Sequence, residues 1–484
     1  MSYPGQVFDE TTQALLSPSD YRNPTPQSRY HLVVVGAGPA GLISAIGAAG
    51  LGSKVALVER HRMGGDCLNV GCVPSKALLE YTGYHKNPDF NEAFAWLREV
   101  RAGIAPHDSV QRYGEAGVDV YLGDASFNSA GEICVDGQPL PARRIVICTG
   151  ARAAIPPIPG LRESNPLTNE TVFDLTEKPT SLAILGAGAI GCELALVFAR
   201  LNVAVHLFEM APRVLPLEVS AASEVVGDAL RNAGVTLHLG AGVESIAARS
   251  DGEAGHSVSV AGEQVLTSHV LVALGRTPNT ETLNLQSAGI EVTERGLIIT
   301  DSKLRTSNRK VYAAGDCTSA LQFTHHADAQ ARAVVQNTLF APTASVDKLV
   351  VPHCTYTKPE VASVGQNPEQ LKAAAIEFDS YEFDFAELDR GRAEIDGAGF
   401  AQVYTEKGSD KILGATLVGH DAGEQIAPIC LLMSNGLGLG AAGKALFSYP
   451  TRSEYLKRLA DAYNRSRFTP RVAAIFKAWL GFTA

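Results

Sequence analysis

Short apolar runs, each closed by glycines or by an acid, punctuate the first two thirds of the chain. Leu32-Val33-Val34-Val35 leads into Gly36, Gly38 and Gly41, then an apolar helical stretch, then Val55-Ala56-Leu57-Val58 ending at Glu59. Sliding the sequence by 150 residues lines up Leu32 to Arg60 with Leu182 to Met210 without a gap. In this second copy Leu182-Ala183-Ile184-Leu185 leads into Gly186, Gly188 and Gly191, a helix expected from about Cys192 to Leu201, and a strand from Val203 to Phe208 ending at Glu209. Continuous apolar runs bounded by such turns predict buried parallel strands, so each copy reads as a strand-turn-helix-strand unit. A lone glycine fingerprint is weak, since an ordinary glycine-rich turn explains one unflanked match. Here the flanking strand and helix occur twice, and an acid follows each last glycine by 18 positions. In such a unit the first glycine permits the tight turn and the second admits a pyrophosphate to the backbone. The helix N-terminus then offers its N–H groups, and the acid binds a ribose 2'-hydroxyl. Two dinucleotide sites are predicted. An acid at this position repels a 2'-phosphate, so Glu209 predicts NAD over NADP, a preference that Arg213, read as a loop arginine, weakens only slightly.

Further strands close the pattern. Arg144-Ile-Val-Ile-Cys-Thr149-Gly150 and Val270-Leu-Val-Ala-Leu-Gly275 are each expected to close one doubly wound sheet. Lys310-Val-Tyr-Ala-Ala-Gly-Asp316 ends in an acid at the strand end where α/β sheets place ligands. After a proline-bearing linker at Pro342 to Pro352 the pattern becomes mixed, without another glycine fingerprint, and a separate C-terminal domain is expected. Leu32 to Ser53 carries no charge over 22 residues, long enough to span a bilayer, yet six are glycine and the strand-helix unit accounts for both features.

Composition narrows the class. The 484 residues are 45% apolar and 19% charged with 46 Gly, which excludes a disordered chain, a collagen-like fibre and a coiled coil. A net charge of -10 without a basic block gives nucleic-acid binding no electrostatic support. The first 28 residues hold no apolar stretch of signal length, so a cytoplasmic protein that does not engage a membrane is expected.

Of eight cysteines only Cys67 and Cys72 form a close pair, in Gly64-Gly-Asp-Cys67-Leu-Asn-Val-Gly-Cys72-Val-Pro-Ser-Lys76. The second thiol enters a helix whose first residues carry Pro74, and helix N-termini lower thiol pKa. A nucleophilic thiolate beside a second thiol can cycle between disulfide and dithiol. Zinc is the rival, but no second Cys or Cys/His pair of finger spacing follows and His61 alone does not complete a site, so no metal ligand is assigned. Two inert buried cysteines suit this glycine-rich, helix-opening context poorly.

The run CLNVGCVPSK, the two fingerprints and AAGD together resemble the class I flavoprotein pyridine nucleotide-disulfide oxidoreductases, over residues 30 to 484. NPTP before the first strand and YNRSRFTPR near the C-terminus look most like the mercuric-reductase-like branch, beside dihydrolipoamide dehydrogenase. The resemblance implies an α/β protein with two doubly wound dinucleotide-binding domains and a C-terminal α+β dimerisation domain. It implies an N-terminal extension over 1–28, an FAD-binding domain over 29–165 and 281–350, an NAD(P)-binding domain over 166–280, and a dimerisation domain over 351–484. FAD would be held by Gly36, Gly38, Gly41, Glu59, Thr149, Gly150 and Asp316, and NAD(H), with NADP(H) less favoured, by Gly186, Gly188, Gly191, Glu209 and Gly275. Electrons would pass from the nicotinamide through the flavin to Cys72, which contacts it, and to Cys67, the thiol that attacks substrate. Lys76 and Glu193 match the family's ion pair beside the flavin.

One stretch departs from the disulfide-reducing relatives. Their His-Pro-Thr-x-Ser-Glu run, whose His from the other subunit serves as acid/base, reads Tyr449-Pro-Thr-Arg-Ser-Glu454 here. A tyrosine with pKa ~10 is a poor base at neutral pH. Mercuric reductase carries Tyr at the matching position, but its C-terminal cysteine pair is missing from a chain that ends Trp479-Leu-Gly-Phe-Thr-Ala484. His325, His326 and His353 are candidates for a substitute base, though lone histidines are more often structural. Three readings follow, all as a homodimer: an enzyme that reduces a small-molecule or protein disulfide, which leads, a metal-ion reductase, and a non-enzymatic redox-sensing flavoprotein.

Overall fold

In the computed structural model, which describes residues 2–483, the chain opens with helix α1 (Gln6–Leu16) and enters its first sheet at β1 (Tyr30–Val35). There follow α2 (Pro39–Gly50), β2 (Val55–Glu59), α3 (Gly65–Asn69), α4 (Cys72–Tyr84), α5 (Phe90–Ile104), β3 (Val118–Leu122) and β4 (Ala142–Ile147). The second repeat supplies β5 (Ser181–Leu185), α6 (Ala189–Arg200) and β6 (Ala204–Glu209), joined later by β7 (Thr236–Leu239) and β8 (His269–Val272). Then come β9 (Val311–Ala313) and α7 (Thr324–Leu339).

These strands make two parallel sheets, ordered β9-β4-β1-β2-β3 and β7-β6-β5-β8. The repeat is kept to the residue: Leu32 pairs with Val55 in the first sheet and Leu182 with Val205 in the second. Alternation along β1 divides its apolar side chains between two cores. Leu32 and Val34 pack with Ala45 and Ala48 of α2 and Ala331 and Val334 of α7. Val33 and Val35 pack with Phe127 and Ile133 from a short antiparallel segment and with Leu285. Each fully buried Val, Leu, Ile or Phe among them contributes about 1.5–3 kcal/mol.

Several expected boundaries move. Helix α6 starts at Ala189, capped by Gly188, three residues earlier than expected, because the glycine turn passes directly into helical backbone. Cys72 itself takes the first position of α4 after Gly71, and Pro74 is the third residue. Strand β4 lies inside its sheet, since β9 pairs on its outer side.

The described chain divides into two compact units, residues 2–210 with 233–348 and residues 211–232 with 349–483. The second is built on an antiparallel sheet of β10 (His353–Thr355), β11 (Glu360–Gly365), β12 (Phe378–Asp384), β13 (Phe400–Glu406) and β14 (Ile412–Gly419), ordered β10-β11-β14-β13-β12. Helix α8 (Glu454–Ser466) buries Tyr455, Leu456 and Leu459 in that unit's core, whereas α9 (Pro470–Thr483) buries no residue. Among the described residues no helix is long and apolar enough to cross a membrane.

Candidate redox-active site

Both glycine turns are built alike. Gly36 and Gly186 stand at φ 100° and 102°, in the left-handed region that favours glycine. A Cβ on Gly41 would fall 1.7 Å from the Gly36 carbonyl oxygen, and one on Gly191 would fall 1.9 Å from that of Gly186, so helix and turn meet only because both are glycine. Ala37 N–H donates to Glu59 Oε2 at 2.8 Å, and Ala187 N–H donates to Glu209 Oε2 at 2.9 Å. Each acid therefore latches its own turn from the end of the second strand. Burial pushes the Glu59 carboxyl up in pKa, opposed by the N–H groups of Ala37 and His61.

The N-terminus of α6 is open above Gly188, where a Cβ would meet no atom within 4 Å and a side chain would fill the cradle a phosphate needs. Over α2, a Cβ on Gly65 would fall 2.4 Å from the Gly38 Cα, so two bare glycines keep that backbone approachable. Thr149 and Gly150 follow β4, and their carbonyls accept hydrogen bonds from Asn279 Nδ2 and N at 3.0 Å. Asp316, just past β9, lies 3.7 Å from Arg276, and burial raises its pKa. Gly275, at φ 101°, has nothing within 4 Å of where its Cβ would stand. Glycine cradles at two helix N-termini, each with an acid at its strand end, fit two dinucleotides.

The cysteines come together at the junction of α3 and α4. Cys67 is half-buried and Cys72 is exposed at the N-terminus of α4, and the two thiols share a hydrogen bond. That bond from Cys67 is the largest influence pulling Cys72 down to about 6, with Lys76 and Thr324 acting in the same sense against burial and Glu193. Cys67 is driven the other way, first by its bond to Cys72 and then by burial. The two thiols are thus driven apart, Cys72 toward the thiolate and Cys67 toward the thiol. Lys76 Nζ donates to Glu193 Oε2 at 2.8 Å.

Two neighbours of the thiols gave no sequence signal. Thr324 Oγ1 lies 3.7 Å from Cys72 Sγ across 252 residues. Arg276 bonds Asp66, the residue before Cys67, and the Ala151 carbonyl. Neither belongs to a short motif, so only the tertiary fold reveals them.

Tyr449 and Glu454 belong to the other unit. Tyr449 is 71% exposed and its hydroxyl donates to Asp389 Oδ2 at 2.9 Å, which raises its pKa. Glu454 opens α8, 4.0 Å from Arg458. The histidines have structural partners: His353 pairs with Glu218 at 2.7 Å, His326 bridges the Leu321 carbonyl and Gln330, and His325 stacks on Phe323. Arg213 is forked onto Glu369 at 3.0 and 3.1 Å and also donates to the Pro216 and Glu218 carbonyls.

Comparison with known proteins agrees with this geometry. Residues 30–331 match the family described as pyridine nucleotide-disulphide oxidoreductase, and residues 351–460 match that family's dimerisation domain. The chain is 32% identical over 452 residues to a mercuric reductase of Staphylococcus aureus, covering 90% of this chain and 83% of the relative. It is 32% identical over 459 residues to a dihydrolipoyl dehydrogenase of Chlorobaculum tepidum, covering 90% and 97%. Among solved structures, the Cu(II) complex of the HOCl-induced flavoprotein disulfide reductase RclA from Escherichia coli superposes with TM-score 0.82 at 30% identity, covering 88% of this chain and 99% of that one. With both fingerprints and the dimerisation domain in place, the chain belongs to the pyridine nucleotide-disulphide oxidoreductase family, oxidoreductases that use FAD and NAD(P)H.

Proposed function

We propose that this oxidoreductase is a homodimer that takes electrons from NADH and delivers them, through Cys67 and Cys72, to a disulfide. The observation that carries the reading is the pair of free thiols at the junction of α3 and α4, with Cys72 opening α4 beside Thr324. FAD, seated by Gly36, Gly38, Gly41, Glu59 and Asp316, would supply the conversion of a two-electron hydride donor into electrons for the dithiol.

The chain's own part begins with Cys67 as thiol and Cys72 as thiolate. Cys67 gives its proton to Cys72 as its sulfur attacks one sulfur of the substrate. The substrate S–S bond breaks and a mixed disulfide forms. The first leaving thiolate takes the proton back from Cys72, whose thiolate then attacks Cys67 and expels the second product, protonated by solvent. The sum is NADH, a proton and a disulfide going to NAD⁺ and two thiols. Cys72 thereby takes over part of the acid/base work that a histidine does in the disulfide-reducing relatives, work for which Tyr449 is poorly suited.

Glu209 supports NADH, because its carboxylate is latched to Ala187 at the ribose end of the second strand. Reduction of a thiol-bound metal ion is the second reading. Tyr449, held protonated by Asp389, favours an acceptor that needs no proton, and the compared proteins include a mercuric reductase and a Cu(II) complex. The test is NADH consumption by holoenzyme against lipoamide, glutathione disulfide, small protein disulfides, Hg(II) and Cu(II). Saturable turnover with a disulfide supports the first reading, and turnover with metal ions alone overturns it in favour of the second.

A further inference from the structure

Helix α1 lies ahead of the family match, which begins at residue 30, yet it is tied to the loop that carries the thiols. Three contacts run along its length. Arg62 donates from Nε to Gln13 Oε1 at 3.0 Å. Met63 N–H donates to the Leu16 carbonyl at 3.1 Å, with Leu16 fully buried in the first core. The third contact passes through Arg101 of α5, whose side chain is 1% exposed: Nη2 donates to Asp9 Oδ1 at 2.9 Å and to Asp174 Oδ1 at 3.2 Å, while Nη1 donates to the Asn69 carbonyl at 2.8 Å.

Asn69 sits between the two cysteines. Its buried side-chain amide donates to the Met63 and Gly65 carbonyls at 3.0 and 2.9 Å, closing the loop on itself. Asp9 also accepts Arg98 Nε at 2.9 Å and the Tyr3 hydroxyl at 2.7 Å. Two guanidinium groups almost out of water thus share this carboxylate, a buried arrangement that fails when one partner is removed. Each carboxylate oxygen is taken by a different guanidinium, Oδ2 by Arg98 and Oδ1 by Arg101, which fixes the direction of Asp9 as well as its charge.

We infer that α1 is a strap that sets the spacing of Cys67 and Cys72, with Asp9 acting as a positioning residue through Arg101 and the Asn69 carbonyl. Closure of a disulfide depends on how often one thiol meets the other. A strap that holds residues 62–69 in place raises that encounter, stabilises the disulfide and makes the pair harder to reduce. Without the Asp9 charge the loop loosens and the disulfide weakens.

This inference rests on Cys67 and Cys72 being a redox couple, and one experiment separates the two claims. Holoenzyme is equilibrated in reduced and oxidised glutathione buffers, quenched with iodoacetamide, and residues 67 and 72 are mapped by mass. If wild type never protects both cysteines as a disulfide, the couple itself fails. If wild type does, Asp9→Asn is expected to lower the closure constant roughly tenfold, an upward shift of about 30 mV, and Asp9→Glu to restore most of it. Should Asp9→Asn not fold, Arg101→Lys, which cannot span Asp9 and Asn69 together, is read in the same way. A closure constant within twofold of wild type in a folded variant overturns the strap, whatever its melting temperature.

Discussion

Lys76 and Glu193 form an ion pair of 2.8 Å that joins α4, which starts at Cys72, to α6, which starts at the second glycine turn. Glu193 is 4% exposed and Lys76 is 36% exposed, so the lysine links a buried carboxylate to the thiol region. Their charges act on Cys72 in opposite senses. Lys76→Met is expected to raise the pKa of Cys72 and Glu193→Gln to lower it. The rate of iodoacetamide alkylation against pH reports the midpoint. The reactive fraction near pH 6 falls in the first variant and rises in the second, and a shift of both in one direction contradicts the assignment.

Removing the other thiol tests the influence of Cys67 on Cys72. In Cys67→Ala the largest influence on Cys72 is gone, so its midpoint is expected to climb from about 6 toward the ordinary thiol value of ~8.5, with Lys76 and Thr324 retaining part of the depression. Both Cys67→Ala and Cys72→Ala should lose disulfide turnover while NADH-dependent dye reduction persists. Alkylation profiles and turnover of the two purified variants check this.

Asp389 keeps the proton on Tyr449 by accepting its hydroxyl. Tyr449→His is expected to raise turnover of lipoamide or glutathione disulfide, up to the ~10²-fold that general acid/base help supplies, and to leave dye reduction unchanged. Steady-state kinetics on the dimer decide it, and a wild type already as fast as Tyr449→His shows that the tyrosine is no handicap.

Coenzyme choice should follow Glu209. Wild type is expected to show a higher kcat/KM with NADH than with NADPH, and Glu209→Ser to narrow that ratio at least tenfold, by about 1.4 kcal/mol of discrimination. Arg213 is engaged by Glu369, so Arg213→Ala should leave the ratio unaltered. Initial rates with both coenzymes measure this.

The parts legible in the sequence are those whose physics is local. A glycine that must take positive φ at 36 or 186, and an acid that must end the neighbouring strand at 59 or 209, leave a spaced signature, and the repeat even predicts the register that pairs Leu32 with Val55 and Leu182 with Val205. The cysteine pair is legible for the same reason. Helix α1 was not, because residues 1–28 carry no long apolar run and its meaning lies in Asp9 meeting Arg98 and Arg101, 89 and 92 positions away. Arg276 reaches Asp66 across 210 residues, and Thr324 reaches Cys72 across 252. Tyr449 was visible as a departure from its relatives, but its bond to Asp389, 60 residues earlier, was not.

The most direct test is to count thiols before and after NADH. Oxidised holoenzyme is mixed anaerobically with one equivalent of NADH, quenched with iodoacetamide and mapped by mass spectrometry. The expected result is that NADH exposes two new alkylated cysteines per chain, Cys67 and Cys72, and no others. If the equivalent of NADH is consumed without any added acceptor while Cys67 and Cys72 stay joined and unlabelled, electrons do not reach the pair, and the proposed route is contradicted.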